Sequence, residues 1–213
     1  MGSEIIDKIL MIPAILIAFT FHEYAHAITA DRLGDKTPRF QGRLTLNPIV
    51  HLDFMGTLLI LLVGFGWAKP VETNPSAYKN YYMDDLKVSL AGPVANLIIG
   101  FLFTVLAVLF YKNFPNQGEL YTIIQQILII TATLNCMLFF LNLVPIPGFD
   151  GFHIVRDLFP KFFYNMSDTV NRYQMLIFIV LILPILPGET SIFTYLVQVP
   201  ASWLFNIFKN ILL

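Results

Sequence analysis

Two histidines and a glutamate stand together in the string His22-Glu23-Tyr24-Ala25-His26. A spacing of four places both imidazoles on one face of a helix, one turn apart, which is how a helix binds zinc. A glutamate beside such ligands takes a proton from the attacking water and passes it to the leaving amine. The motif therefore predicts a metallohydrolase site, with His22 and His26 as metal ligands and Glu23 as the general base.

The composition is that of a membrane protein. Of the 213 residues, 56% are hydrophobic and 13% are charged, and the mean hydropathy is +0.69, beyond the usual range of a soluble domain. The net charge of −1 and the absence of a basic block exclude nucleic acid as an expected partner. Cys136 is the single cysteine, so neither a disulfide framework nor a cysteine-based metal cluster is expected.

The apolar runs predict an all-α polytopic membrane protein in one domain, residues 1–213, with about five to six transmembrane or re-entrant segments. Crossing the bilayer takes about 20 helical residues, and the candidate spans are residues 5–30, 88–111, 120–144 and 173–186. Residues 191–213 are apolar but interrupted by polar side chains, so they either span the membrane or lie along its surface.

The stretch 54–68 is short and contains three glycines, which favours a re-entrant element. Residues 42–47 alternate with period two before Pro48, and residues 67–73 form a second extended piece around Pro70. Together they predict a short membrane-associated β-hairpin.

Three ionisable side chains in a lipid-embedded helix need a compensating partner. A pair of buried, hydrogen-bonded histidines is the simpler alternative, but a bound metal compensates all three. A catalytic zinc site usually has three protein ligands and an open position, and the main candidate for the third is Asp150, which follows a helix broken by Pro145 and Pro147. His51 and Asp53 are competing candidates, and His153 is a candidate for supporting the ligands.

The H-E-x-x-H motif in one transmembrane helix, followed by N-x-x-P-x-P-x-x-D-G from Asn142 to Gly151, resembles the site-2 protease family. The segment Ala91–Asn96, which reads A-G-P-V-A-N, resembles that family's A-G-P-x-x-N, and the chain is similar to its compact forms without PDZ or CBS domains. The resemblance implies an intramembrane zinc endopeptidase that cleaves within or near the transmembrane segments of its substrates. It implies Zn²⁺ as the cofactor, His22, His26 and Asp150 as its ligands, and Glu23 as the base.

Two asparagines are candidates for substrate or oxyanion support. Asn142 lies eight residues before Asp150 and is a candidate donor to the oxyanion, with an interhelical hydrogen bond as the alternative. Asn96 either lines the active-site cavity or holds helices together.

Basic residues predict the orientation, because Lys and Arg favour the cytoplasmic side of short loops. Ten of the thirteen basic residues lie in the segments 31–53, 67–87 and 148–172. We therefore expect a multi-pass protein of the cell membrane, with its active site towards the cytoplasm and with transmembrane proteins and the bilayer as its partners.

Two other functions remain open at this stage. A metal or proton transporter also carries intramembrane His, Glu and Asp, but the sequence lacks the paired repeats typical of transporters. A catalytically silent relative would bind membrane proteins without cutting them, and the intact Glu23 argues against it.

Overall fold

A computed structural model describes residues 2–63, 66–114 and 118–212 of the chain. The described structure is helical, with one isolated antiparallel bridge before residue 81 and another near residue 188. In chain order the helices are α1 (Gly2–Leu33), α2 (Thr37–Phe40), α3 (Phe54–Val63), α4 (Tyr81–Asn113), α5 (Gly118–Asn142), α6 (Asp150–Leu158), α7 (Pro160–Arg172), α8 (Gln174–Ile182) and α9 (Val199–Leu212).

Helices α1, α4 and α5 form the framework, and each packs against the other two. These three are long and apolar enough to cross a membrane, as the sequence predicted. Their contact surfaces are made of small side chains, since Ala14, Ala18 and Ala132 are completely buried. A Cβ on Gly100 of α4 would lie 3.1 Å from Cys136 Sγ of α5. Small residues let helix backbones approach closely, which is how transmembrane helices associate without a hydrophobic driving force.

Helix α4 is longer than a membrane crossing requires. Its 33 residues span about 50 Å at 1.5 Å per residue, against a hydrocarbon core of about 30 Å. The part of α4 beyond that thickness includes its charged first two turns. There Asp84 accepts a hydrogen bond from Lys87 Nζ at 2.7 Å, and Asp85 forms an ion pair with Arg156 of α6. The end of α4 thus fixes α6, whose first residue is Asp150.

The region predicted to re-enter the membrane contains α3, a helix of ten residues. Its length of about 15 Å is half of a membrane crossing. The chain comes back beside the start of this helix, because a Cβ on Gly56 would overlap the backbone of Trp67 and a Cβ on Gly66 would overlap that of Gly56. This return is consistent with a re-entrant element.

The described residues of the predicted β-hairpin form no strand. They contain one antiparallel bridge, Leu52 to Ala68, extended by a hydrogen bond of 3.0 Å from Lys69 N to His51 O. One reason is that Asn47 instead caps a 3₁₀ turn, Pro48–Val50, by accepting from Ile49 N at 3.1 Å. The proline at the start of this turn also has no N–H to donate to a ladder.

The last third of the chain differs from the expected simple spans. Helices α6 and α7 are amphipathic and occupy the segment predicted as a loop, while α8 has only nine residues. A π-helical turn, Thr194–Gln198, leads directly into α9. This continuous helix begins where Val197 packs with Val144 and Ile146, and it ends where Leu212 O accepts from Lys112 Nζ at the end of α4.

Candidate metal centre

The two histidines of α1 are held by acceptors on α4. His22 Nδ1 lies 2.7 Å from Asn96 Oδ1, and His26 Nδ1 lies 2.7 Å from the carbonyl oxygen of Val88. A carbonyl oxygen only accepts, so His26 carries its proton on Nδ1. The Asn96 amide nitrogen donates to Ala18 O and Asn135 Oδ1, so its oxygen faces His22, which also donates from Nδ1. In the neutral form of the two imidazoles, both Nε2 atoms therefore present lone pairs.

Those lone pairs converge on one point together with a carboxylate. The two Nε2 atoms are 3.0 Å apart. Asp150 Oδ2 lies 3.3 Å from Nε2 of His22, and Asp150 Oδ1 lies 3.3 Å from Nε2 of His26. Three acceptors this close repel one another unless a cation lies between them. The set of two imidazoles and one carboxylate is typical of catalytic zinc, and ligand nitrogens about 2.0 Å from a tetrahedral ion would be roughly 3.3 Å apart. The donor atoms therefore fit Zn²⁺.

Gly92 of α4 leaves the room that this cluster needs. A Cβ at this position would lie 2.7 Å from His22 Nε2 and closer still to His26 Nε2. Any side chain would therefore press on the ligand atoms that face the carboxylate. The A-G-P segment was noted in the sequence, but this role of its glycine was not predicted.

Asn96 lies in the middle of the bundle rather than at the cavity. It is completely buried and connects α1, α4 and α5 through His22, Ala18 and Asn135. Both of its amide hydrogens are used by those bonds, which leaves none for an oxyanion. Of the two alternatives for Asn96, this geometry favours the one in which it holds helices together, and it places the amide oxygen against His22.

Glu23 points to a small surface that we name the Arg43 platform, formed by residues 43–52 and 67–71. The guanidinium of Arg43 donates to the carbonyls of Val50 and Lys69, and so joins the two segments. Glu23 Oε2 accepts from Val71 N at 2.8 Å and lies 3.9 Å from Arg43 Nη2. The platform thereby fixes the glutamate beside the metal cluster, and sequence reasoning did not identify Arg43 as part of the site.

Burial and charge set the protonation of the platform. Burial lowers the pKa of the Arg43 guanidinium, while the nearby carboxylates of Glu23 and Glu72 raise it; an arginine remains a cation in either case. Burial also lowers the pKa of His51, with a further lowering from the charge of Arg43. His51 is therefore neutral, and its Nε2 donates to Thr45 O at 2.7 Å.

The competing ligands lie elsewhere. His51 belongs to the platform, and Asp53 Oδ1 accepts from Gly56 N at 2.7 Å and caps α3. Within the described ranges, His22, His26 and Asp150 form the one group of three His, Cys, Asp or Glu side chains placed to hold a metal. His153 lines the same cavity one turn after Asp150, consistent with a supporting position.

The metal cluster opens into a cavity of about 620 Å³. Its walls include Glu23, Asn142 and the platform residues Ala68 and Val71, with Phe19 and Leu138 on the apolar side. The side-chain amide of Asn142 makes no hydrogen bond to the described residues, so it is available to a bound molecule. The cavity is large enough for a stretch of extended peptide, and the arrangement is that of a membrane-embedded metallohydrolase.

Comparison with known proteins agrees with this class. The family model described as Peptidase family M50 matches residues 10–185. The Bacillus subtilis protein YwhC, whose name assigns it provisionally to the zinc metalloproteases, is 40% identical over 172 residues, covering 80% of this chain and 78% of its own. Rip2 of Mycolicibacterium smegmatis, named in the same way, is 33% identical over 149 residues, 68% of this chain and 55% of its own.

A more distant relative is the zinc metalloprotease MJ0392 of Methanocaldococcus jannaschii, 24% identical over 169 residues, 79% of this chain and 40% of its own. The chain thus spans about half the length of Rip2 and 40% of the length of MJ0392. No solved structure matches the chain. The chain belongs to peptidase family M50, the site-2 protease family, and is an intramembrane zinc metalloprotease.

Proposed function

We propose that this protease hydrolyses peptide bonds within or near the transmembrane segments of membrane proteins, at a zinc ion held by His22, His26 and Asp150. The observation that carries the proposal is the convergence of two Nε2 lone pairs and a carboxylate beside a buried glutamate. Zinc, when bound, supplies a Lewis acid that polarises the scissile carbonyl and activates water.

Glu23 acts as the general base and then as the general acid. Its carboxylate takes a proton from the attacking water as that water adds to the carbonyl carbon, and returns it to the amine nitrogen as the carbon–nitrogen bond breaks. Val71 N–H donates to this carboxylate and orients it, and the guanidinium of Arg43 lies 3.9 Å from it. Asn142, which lines the cavity, donates to the oxygen of the former carbonyl as negative charge develops there.

The topology that we propose places this chemistry near the cytoplasm. Helices α1, α4 and α5 cross the bilayer, α3 re-enters it, and α8 and the helix from residue 194 to 212 complete five to six membrane elements around one domain. The platform belongs to the proposed membrane-associated hairpin. The basic segments on the side of His26 support a cytoplasmic site in a multi-pass protein of the cell membrane.

Ion transport is the alternative function, and nothing in the described structure favours it. The described ranges contain one candidate metal cluster, and the matching family is one of peptidases.

The test compares zinc content and cleavage of a transmembrane substrate by the purified wild type, Glu23→Gln and Asp150→Ala. We expect Glu23→Gln to retain zinc and lose activity by about 10²- to 10⁴-fold, and Asp150→Ala to lose both. Glu72→Gln, an exposed glutamate that bonds to Gln41, is the matched control and should keep both. A Glu23→Gln protein that still cleaves at the wild-type rate would refute the role of Glu23.

A further inference from the structure

The last helix presents three polar side chains to an open groove. Gln198, Ser202 and Asn206 follow one another at intervals of four residues and so share one helix face. All three are exposed, and none makes a hydrogen bond to the described residues. An amide or hydroxyl without a partner is unfavourable in hydrocarbon, and such groups in transmembrane helices usually bind another helix.

The opposite walls of this groove are apolar. Its volume is about 640 Å³, and it lies between α9, Met11 of α1 and residues of α5 that include Ile130, Leu134 and Met137. Thr133, the polar residue of the α5 wall, already donates its hydroxyl to the Ile129 carbonyl at 2.9 Å. The groove therefore has apolar walls and one row of polar side chains that make no hydrogen bond to the described residues. This combination matches a helix that carries polar side chains on one face.

The position of the groove connects it with the metal centre. Leu134 and Met137 of the groove lie one turn before Leu138 and Leu141, which line the metal cavity. Met11 lies eleven residues, about 16 Å, before His22 on α1. A helix lying in the groove would thus continue along α5 directly into the cavity.

We propose that this groove binds the transmembrane helix of the substrate, and that Gln198, Ser202 and Asn206 recognise polar residues in the part of that helix away from the cytoplasm. The inference rests on the proposed function and adds a specificity-determining surface to it. A peptide bond in a regular helix is shielded by its own hydrogen bonds. Interhelical hydrogen bonds between α9 and the polar side chains would hold the outer part of the substrate helix in the groove, so that the next stretch of that chain lies at the cavity, where it has to unwind before cleavage.

A crosslinking experiment tests the contact in full-length protein. Ser202→Cys and Trp203→Cys are each made in Glu23→Gln protein and mixed in liposomes with a transmembrane substrate carrying one cysteine at successive positions. Trp203 is the matched control, because it is 65% exposed on the same helix and does not line the groove. Glu23→Gln alone controls for Cys136, which is buried. We expect a disulfide to the substrate from Ser202→Cys only.

A kinetic experiment separates this inference from the proposed function. Gln198→Leu combined with Asn206→Leu should raise KM about tenfold, with little change in kcat, since two interhelical hydrogen bonds are lost. The effect should vanish for a substrate whose polar residues in that region are replaced by leucine, and Trp203→Leu should leave both constants unchanged. If the wild type cleaves the substrate but the double variant has an unchanged KM, the groove inference fails alone. If zinc-loaded wild type cleaves no transmembrane substrate, the groove inference and the proposed function both fail. In the crosslinking experiment, a disulfide that forms only between two Ser202→Cys copies would make the groove a contact between two copies of this chain instead.

Discussion

Gly92 is the residue whose smallest change should disable the site. Replacing it by alanine places a methyl group within 2.7 Å of His22 Nε2, on the ligand side of the imidazoles. We expect Gly92→Ala to lose zinc and activity although alanine favours a helix by roughly 1 kcal/mol over glycine. Zinc content by atomic absorption and substrate cleavage measure the two losses.

Gly100→Ala is the control for Gly92→Ala, since it makes the same change two turns further along α4. Its new methyl group would lie 3.1 Å from Cys136 Sγ, so it strains packing without touching a ligand. It should keep zinc. Equal zinc content in both variants would show that Gly92 is not needed for the metal centre.

His51 should make the stability of the fold depend on pH. Burial lowers the pKa of His51 in the folded protein, so protonation favours the unfolded chain, whose histidines titrate near 6.5. The stability that neutral His51 provides is complete above about pH 6.5 and is lost as the pH falls below it. We expect the thermal unfolding midpoint to fall between pH 7 and pH 5 by more in the wild type than in His51→Gln, which keeps a donor for Thr45 O.

The comparison isolates His51 because both proteins retain His22, His26 and His153. Arg43, whose charge disfavours a second cation nearby, and Glu23, whose charge favours one, are also common to both. Parallel pH curves for the two proteins would assign the acid sensitivity to other residues.

At the residue scale, the sequence predicted which side chains come together but not what surrounds them. The spacing of His22 and His26 fixes them on one helix face, and the broken helix before Asp150 made it the main third candidate; the structure places all three together. Their roles stay predictions. The Val88 carbonyl that holds His26 has no signature, because every residue has a carbonyl, and the long-range partners of Arg43 depend on tertiary packing.

At the scale of elements, the ion pair between Arg156 and Asp85 holds α6 against α4. Both side chains are largely buried, with 14% and 6% of their surfaces exposed, and removing one partner of a buried pair leaves the other uncompensated at about 3 kcal/mol or more. We expect Arg156→Gln to lower the free energy of unfolding by about that amount. We also expect weaker zinc binding, by 10- to 100-fold, because Asp150 begins α6.

Lys87→Gln provides the matched control on α4. Lys87 pairs with Asp84 but is 56% exposed, and exposed ion pairs contribute about 1 kcal/mol or less. Chelator competition and chemical unfolding report the two effects. A zinc affinity in Arg156→Gln equal to that of Lys87→Gln would show that α6 does not depend on the ion pair for its position.

The elements that the sequence located well are those that apolar length alone determines. Residues 88–111 and 120–144 correspond to α4 and α5 within a few residues, apart from the polar first turns of α4. Helices α6 and α7 were missed because both are short and amphipathic, so neither contains the long apolar run that marks a membrane span. The hairpin stays a prediction. In the described residues of this region there is one antiparallel bridge, and the carbonyls of Val50 and Lys69 accept hydrogen bonds from Arg43 instead of from a β-ladder.

At the scale of the whole molecule, orientation in the membrane is directly measurable. Cys136 is buried, so single cysteines introduced at exposed positions report their own side. We expect Glu119→Cys, at the start of α5, to react with an impermeant maleimide in intact cells, and Lys161→Cys, in α7, to react only in inverted vesicles. The reverse pattern would place the metal centre on the outer side.

The bonds that join Asn96 of α4 to α1 and to α5 have a consequence for biogenesis. The Nδ1–H tautomer of His22, which leaves Nε2 facing Asp150, is held by the oxygen of Asn96, and Asn96 is itself oriented by Asn135 of α5. Asp150 follows later still in the chain. During translation, a ribosome-bound fragment that ends before residue 150 therefore has an incomplete ligand set. We expect the nascent enzyme to stay inert towards neighbouring membrane proteins until α5 is inserted and Asp150 has been added to the chain.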